Sequence, residues 1–366
     1  MPGPPARFPP DHLPPDHLPP DHLPPDHPAD LTRKAVRAMS PPATATAMTA
    51  PTARPARRAR GAAGDALFRA AALFAALFVL ISLSAAALSM LYGGLPALMK
   101  FGLGFLYHVA WNPVRQDFGA AVPIYGTLLS SALAMLIAVP VSFGIAIFLT
   151  EVSPRRLRGP IAAAIELLAG IPSIIYGMWG LFVFVPYMSD HIEPWLTDHL
   201  GDLPLLGALF QGPPLGIGML TAGIILGVMI IPFISSVMRD VFALVPPSLR
   251  EAAFALGATR WEVVSGVVLP YTRTAVVGGI FLGLGRALGE TMAVTFVLGN
   301  AHELSASLLM PGNSIAAAIA NEFTEADSDI YLSSLIALGF LLFVVTFIVL
   351  AAAKIMLLRL ARNEGN

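Results

Sequence analysis

The chain has 366 residues, of which 56% are hydrophobic and only 12% charged, and its mean hydropathy is +0.72. A soluble domain carries roughly twice that charged fraction, so a soluble fold is excluded and the chain reads as an integral membrane protein. The net charge of −1 carries no message about partners, and the absence of cysteine excludes disulfides, thiolate catalysis and Cys-ligated metals.

Residues 1–65 are a different material. Pro-Pro-Asp-His-Leu repeats from Pro9 through Leu23, and a fourth copy is altered at Pro28. Pro, Ala, Thr and Arg follow, too little apolar surface to offset the entropy of ordering, so a disordered tail is expected. Its repeat histidines, His12, His17, His22 and His27, suit a solvated spacer better than a loose metal site. Met39 and Met48 are alternative starts. No apolar h-region follows the early charges, so the tail is not a secretory signal.

From residue 66 to 366 the pattern is that of a membrane domain. About six apolar runs have the length a bilayer requires: Ala71–Leu91, Ile124–Leu149, Ile161–Val185, Leu215–Val237, Thr274–Leu298 and Tyr331–Ala353. Arginines orient them. Arg57, Arg58, Arg60 and Arg69 precede the first run. Arg155, Arg156 and Arg158 lie between the second and third, and Arg239, Arg250, Arg260 and Arg273 between the fourth and fifth. Lys354, Arg359 and Arg362 follow the sixth. The opposite loops hold few cations and are acidic later in the chain, which places both termini in the cytoplasm. Pro140, Gly170-Ile171-Pro172 and Pro232 interrupt the runs, and such kinks belong between helices or along a wet path. Gly279 and Gly283, and again Gly285 and Gly289, have the spacing that lets membrane helices approach closely.

The stretch 239–272 is a polar loop on the cytoplasmic side. Ser248 with Glu251 and Thr259 with Glu262 read as capping boxes, and Gly257 suits the left-handed position after a helix. Pro270 should limit the second helix. Two short helices at an angle result, the first carrying apolar Ala252, Ala253, Phe254 and Leu256, which need a surface to pack against. Each feature alone would fit any surface loop. Together, Glu251-Ala252-Ala253, then Gly257, then Val267-Val268-Leu269-Pro270 resemble the loop by which ABC importer permeases engage a separate ATPase. Leu284-Gly285-Arg286-Ala287-Leu288-Gly289-Glu290-Thr291-Met292 and Met310-Pro311-Gly312-Asn313-Ser314 are similar to the phosphate-specific branch of that family, of PstC type, over roughly residues 66–358.

The resemblance implies an all-α permease of the type I importer architecture in the bacterial inner membrane. Its implied partners are a PstA-type permease, two PstB-type ATPase subunits and an extracytoplasmic PstS-type phosphate-binding protein. It implies no cofactor in this chain, ATP and Mg being held by the ATPase. Coupling would fall to Glu251, Ala252, Ala253, Gly257, Leu269 and Pro270.

Arg286 lies about 12 residues into the fifth run, ~18 Å deep at ~1.5 Å per residue. Glu290 is four residues on, on the same helical face and within pairing reach. Charges so placed should face a pore or a partner, and Glu166 in the third run is a candidate third member. Arg286, Glu290, Glu166 and Thr291 are therefore the expected translocation path, although an ion pair that merely joins helices would use the same residues. The chain lacks a Gly-x-x-x-x-Gly-Lys-Ser/Thr loop and any nucleophile–base pattern, so it is expected to be a transport subunit and not an enzyme. A permease for molybdate or sulfate, and an ion-coupled transporter using Glu166 and Glu290 as proton carriers, are the competing readings. His108, His191, His199 and His302 are expected to face solvent, and Trp111, Trp195 and Tyr331 to form an interfacial belt. The loops 189–214 and 300–329 offer a docking surface or a shield, the second with a short helix after Asn313.

Overall fold

The computed structural model describes residues 62–204 and 207–362. Among the described residues the fold is helical, with five helices long and apolar enough to cross a membrane and a sixth candidate bent by 88°. The first helix, α1, is Ala62–Phe101, so helix begins four residues inside the stretch expected to be disordered; the rest of that tail, with its repeats, lies outside the described residues. A short helix α2 (Gly104–Tyr107) and a small antiparallel hairpin, β1 (Trp111–Asn112) with β2 (Asp117–Phe118), lead into α3 (Ala121–Ile147). A wide π turn, Phe148–Val152, closes α3.

The bent span is α4 (Arg155–Ala169) and α5 (Ser173–Trp179), followed by π turns around α6 (Val185–Tyr187) and by α7 (Glu193–Leu200). Its break falls on Gly170-Ile171-Pro172, as the sequence led us to expect. Pro172 has no N–H to give to Leu168, and it pushes Ile171 away from helical backbone. The Leu168 carbonyl freed in this way accepts instead from Ile171 N and from the Tyr176 hydroxyl at 3.0 Å. An apolar segment tolerates such a bend where a freed carbonyl, here that of Leu168, finds a protein partner.

Next come α8 (Met219–Ala243) and the elbow helices α9 (Pro247–Ala255) and α10 (Arg260–Val263). A π turn, Val264–Val268, carries α10 directly into α11 (Leu269–Leu288). Pro270 therefore does not end the second elbow helix. The π turn widens the backbone just where Pro270 removes the bond to Gly266, and the helix runs unbroken from Arg260 to Leu288. After a break at Gly289 follow α12 (Met292–Thr295), a long connection, α13 (Ile315–Glu322) and α14 (Asp329–Arg362). The short helix expected after Asn313 is α13, capped by the Ser314 hydroxyl on Ala317 N.

The main core lies between α3, α8, α11 and α12, around Ile225, Met229, Ile230, Ile234 and Met238. The Ser142 hydroxyl of α3 donates to the Ile231 carbonyl of α8, beside Pro232, at 3.1 Å. Gly279 and Gly283 take up α8: a Cβ added at Gly283 would stand 2.5 Å from Ile234 Cδ1, and one at Gly279 2.9 Å from Val237 Cγ1. The second glycine pair does not do this, since the nearest neighbour of a Cβ at Gly285 is Leu350 at 3.6 Å and Gly289 has already left the helix.

A second core joins the end of α1 to α2, the hairpin, α13 and α14. At its edge Glu322 gathers three donors: Trp111 Nε1–H at 2.6 Å, the Tyr331 hydroxyl at 2.7 Å and His302 Nε2 at 2.7 Å. His302 also stacks on Trp111 with ring centroids 5.2 Å apart. These three side chains are turned inward, contrary to the expectation of solvent-facing histidines and a belt, because a half-buried carboxylate must be hydrogen-bonded. Burial alone would raise the Glu322 carboxyl, but the donors and the His302 charge outweigh it and hold the carboxyl below its usual range. A carboxyl depressed in the folded state stabilises fully above its unfolded value, and that contribution disappears as pH falls through the folded value. Glu322→Gln should therefore lower stability by about 1.5–3 kcal/mol near neutral pH, and the difference from the parent should shrink below pH ~4. Thermal unfolding in detergent at the two pH values checks both parts.

Candidate functional site

The site grows from the elbow. In α9, Pro247 occupies the first helical turn and Pro246 the cap position. The helix starts one residue before Ser248, so the expected box of Ser248 with Glu251 does not form; proline at N1 is already shaped for a helix start. The second box is present: Thr259 Oγ1 accepts from Glu262 N, and Thr259 N donates to Glu262 Oε2 at 2.7 Å. Gly257 has φ +87° and closes α9 from the left-handed region. Its surroundings are open, with no atom within 4 Å of an added Cβ.

No residue of α9 is buried. Glu251 and Ala252 are exposed, while Ala253 and Leu269 are half-buried against the main core and Pro270 is exposed. Leu249, Phe254, Leu256 and Trp261 leave an apolar surface on the elbow, with Leu256 90% exposed. The elbow thus presents an uncovered apolar face while its second helix continues into a span. From Arg260 to Arg286, at ~1.5 Å per residue, that single rod reaches ~39 Å.

Arg286 sits near the far end of the rod. Its guanidinium lies over the Phe233 ring of α8, 5.5 Å from the centroid. Its Nε is buried without a hydrogen-bond partner. The expected one-turn pairing with Glu290 is not made: among the described residues no ion pair joins them. Because α11 stops at Leu288, Glu290 is no longer on the face that carries Arg286, and its Oε1 accepts from Ala293 N at 3.2 Å instead. Thr291 follows, at the head of α12, where its carbonyl accepts from the Thr295 hydroxyl. Arg286, Glu290 and Thr291 therefore flank one backbone break.

Glu166 is not a third member of this group. Its Oε1 takes Arg239 Nη2 at 2.7 Å, with Asp240 on the same guanidinium at 2.9 Å. The pair ties α4 to the last turns of α8, in the half of the bent span that lies before Pro172.

One further feature escaped the sequence reading. Arg250 of the elbow meets Glu151 at the end of α3, a long-range pairing with no local signature. Among the described residues no group of three His, Cys, Asp or Glu side chains could hold a metal ion.

Residues 139–362 match the family model described as binding-protein-dependent transport system inner membrane component. The chain is 64% identical over 302 residues to the phosphate transport system permease protein PstC of Xylella fastidiosa strain 9a5c, covering 82% of this chain and 93% of that protein. It is 55% identical over 301 residues to the PstC protein of Mesorhizobium japonicum, covering 82% and 92%. Among solved structures, a bacterial alginate ABC transporter in complex with its pentasaccharide-bound periplasmic protein gives a TM-score of 0.53 at 20% identity, over 81% of this chain and 95% of that one. That likeness speaks for the fold alone.

Proposed function

Because this chain belongs to the binding-protein-dependent transport permeases, and within them to the PstC proteins, we propose that it forms half of the path of an ATP-driven phosphate importer. The observation that carries the mechanism is the unbroken rod from the elbow to Arg286. A motor that displaces the exposed apolar elbow moves Arg286 in the same stroke, because a hydrogen-bonded helix does not compress.

In this reading a PstA-type permease supplies the other half of the path, and two PstB-type subunits hold ATP and Mg and seat the elbows. A PstS-type protein delivers phosphate on the opposite side. Both termini face the cytoplasm, as the arginine distribution favours. The chain has no ATPase site of its own. Glu251, Ala252, Ala253 and Gly257 shape the contact with the motor, and Leu269 and Pro270 set the junction with the span.

The chemistry of the break suits phosphate. A guanidinium fork matches the oxygens of a tetrahedral oxyanion, and the free Nε of Arg286 gives it an unused donor. Glu290, one backbone break away, does not neutralise Arg286; its carboxylate repels the anion and so favours release. It also offers an acceptor to protonated phosphate, which sulfate near neutral pH cannot use. Glu166 with Arg239 belongs to the edge of the path, where the bent span meets α8.

Proteoliposomes holding both permeases and the ATPase should hydrolyse ATP faster when phosphate-loaded binding protein is added, and should accumulate phosphate but not sulfate. Accumulation without the ATPase subunits would establish an ion-coupled transporter instead. Equal competition by molybdate would move the substrate to another oxyanion.

A further inference from the structure

Arg250 projects from α9 back toward the bundle. Its Nη2 donates to the Phe242 carbonyl in the last turn of α8 at 2.5 Å, and the same nitrogen lies 3.3 Å from Glu151 Oε1 in the π turn that closes α3. The Phe242 carbonyl also accepts from Val245 N at 3.3 Å, and an arginine at this end of a helix is favoured by its dipole. The Glu151 side chain is 9% exposed and that of Arg250 21%. The same π turn is grasped from α4, where Arg158 Nη2 donates to the Thr150 carbonyl at 2.7 Å.

The joint is incompletely made. Glu151 Oε1 and Arg250 Nε are both buried and both lack a hydrogen bond. The 3.3 Å contact is ionic, without the alignment of a fork-to-carboxylate pair. A buried charge pair that leaves one donor and one acceptor unsatisfied is costly, so a small rotation of α9 that aligned them would lower the energy.

We propose that Arg250 and Glu151 are positioning residues that form a second mechanical joint, slack in this conformation and bidentate when the elbow is driven by its motor. The joint carries the motion of α9 to the ends of α3 and α8, alongside the rod that carries it to Arg286. This rests on the coupling reading above.

The test uses the complete transporter in proteoliposomes and reads phosphate moved per ATP hydrolysed, with subunit stoichiometry measured alongside. Arg250→Lys keeps the charge but removes the fork, and Glu151→Gln removes the charge. In each the ratio should fall at least five-fold with assembly intact, and the double variant should be no worse than the poorer single. A parental ratio in either assembled variant, or losses that multiply in the double, would overturn the joint. A structural role alone would reduce assembly and leave the ratio untouched. If the variants do not assemble, cryo-electron microscopy of the parental complex with its ATPase closed on nucleotide decides. Arg250 Nε within about 3.2 Å of Glu151 is expected there, and an unchanged or opened pair sinks the proposal. Absence of stimulation by loaded binding protein in the parent would instead count against the coupling reading itself.

Discussion

Replacing Arg286 by Gln should lower phosphate uptake by roughly 10- to 150-fold, the loss that follows from removing about 1.5–3 kcal/mol of charge-assisted hydrogen bonding. Assembly should be retained. Arg286 makes no ion pair among the described residues, its Nε is unused, and its stacking on Phe233 survives only in part with a neutral amide. Glu290→Gln should have a smaller effect, because Glu290 already spends one oxygen on Ala293 N and does not neutralise Arg286. Glu166→Gln should follow Arg239→Gln rather than Arg286→Gln. That pair is half-exposed on the Glu166 side, and exposed pairs contribute only about 0.2–1 kcal/mol, so uptake should change by less than roughly five-fold. Initial rates of labelled phosphate uptake, normalised to assembled complex, separate the groups. Parental uptake in Arg286→Gln would remove it from the path.

Gly257→Val should abolish stimulation of ATP hydrolysis by loaded binding protein, by about ten-fold or more, while the chain stays in the membrane. At φ +87° a side chain with a branched Cβ is strained by at least 1–2 kcal/mol, and ~1.4 kcal/mol is already a factor of ten in an equilibrium. The space around Gly257 is open, so the penalty comes from the backbone and not from a collision, and α9 must rotate or fray to escape it. Gly257→Asn, which tolerates the left-handed region better, should retain much of the stimulation. The contrast between Val and Asn in a stimulated ATPase assay is the decisive reading. Equal, full stimulation in both would mean that the angle of the elbow does not matter.

These two residues are the ends of one object, and that object shows where the sequence stopped being readable. The fold class, the approximate number of spans, the elbow and its Gly257 hinge were all legible, because hydropathy, proline and the Thr259–Glu262 box are local signals. The pairing of Arg286 with Glu290 was misread from the same spacing rule that located them. A four-residue interval means one face only while the helix lasts, and α11 ends at Leu288. Pro270 misled in the opposite sense: proline locally predicts a stop, but a π turn before it let the helix continue into the span.

By itself, then, the sequence determined which segments are apolar, where charge is concentrated and where the backbone must bend, since each follows from chemistry within a few residues. Only the tertiary structure decided what these charges meet: Glu166 with Arg239, Glu322 with Trp111, His302 and Tyr331, and Arg250 with Glu151. Most of those partners lie far apart along the chain, and a charged group takes whichever partner the packing of helices brings within reach.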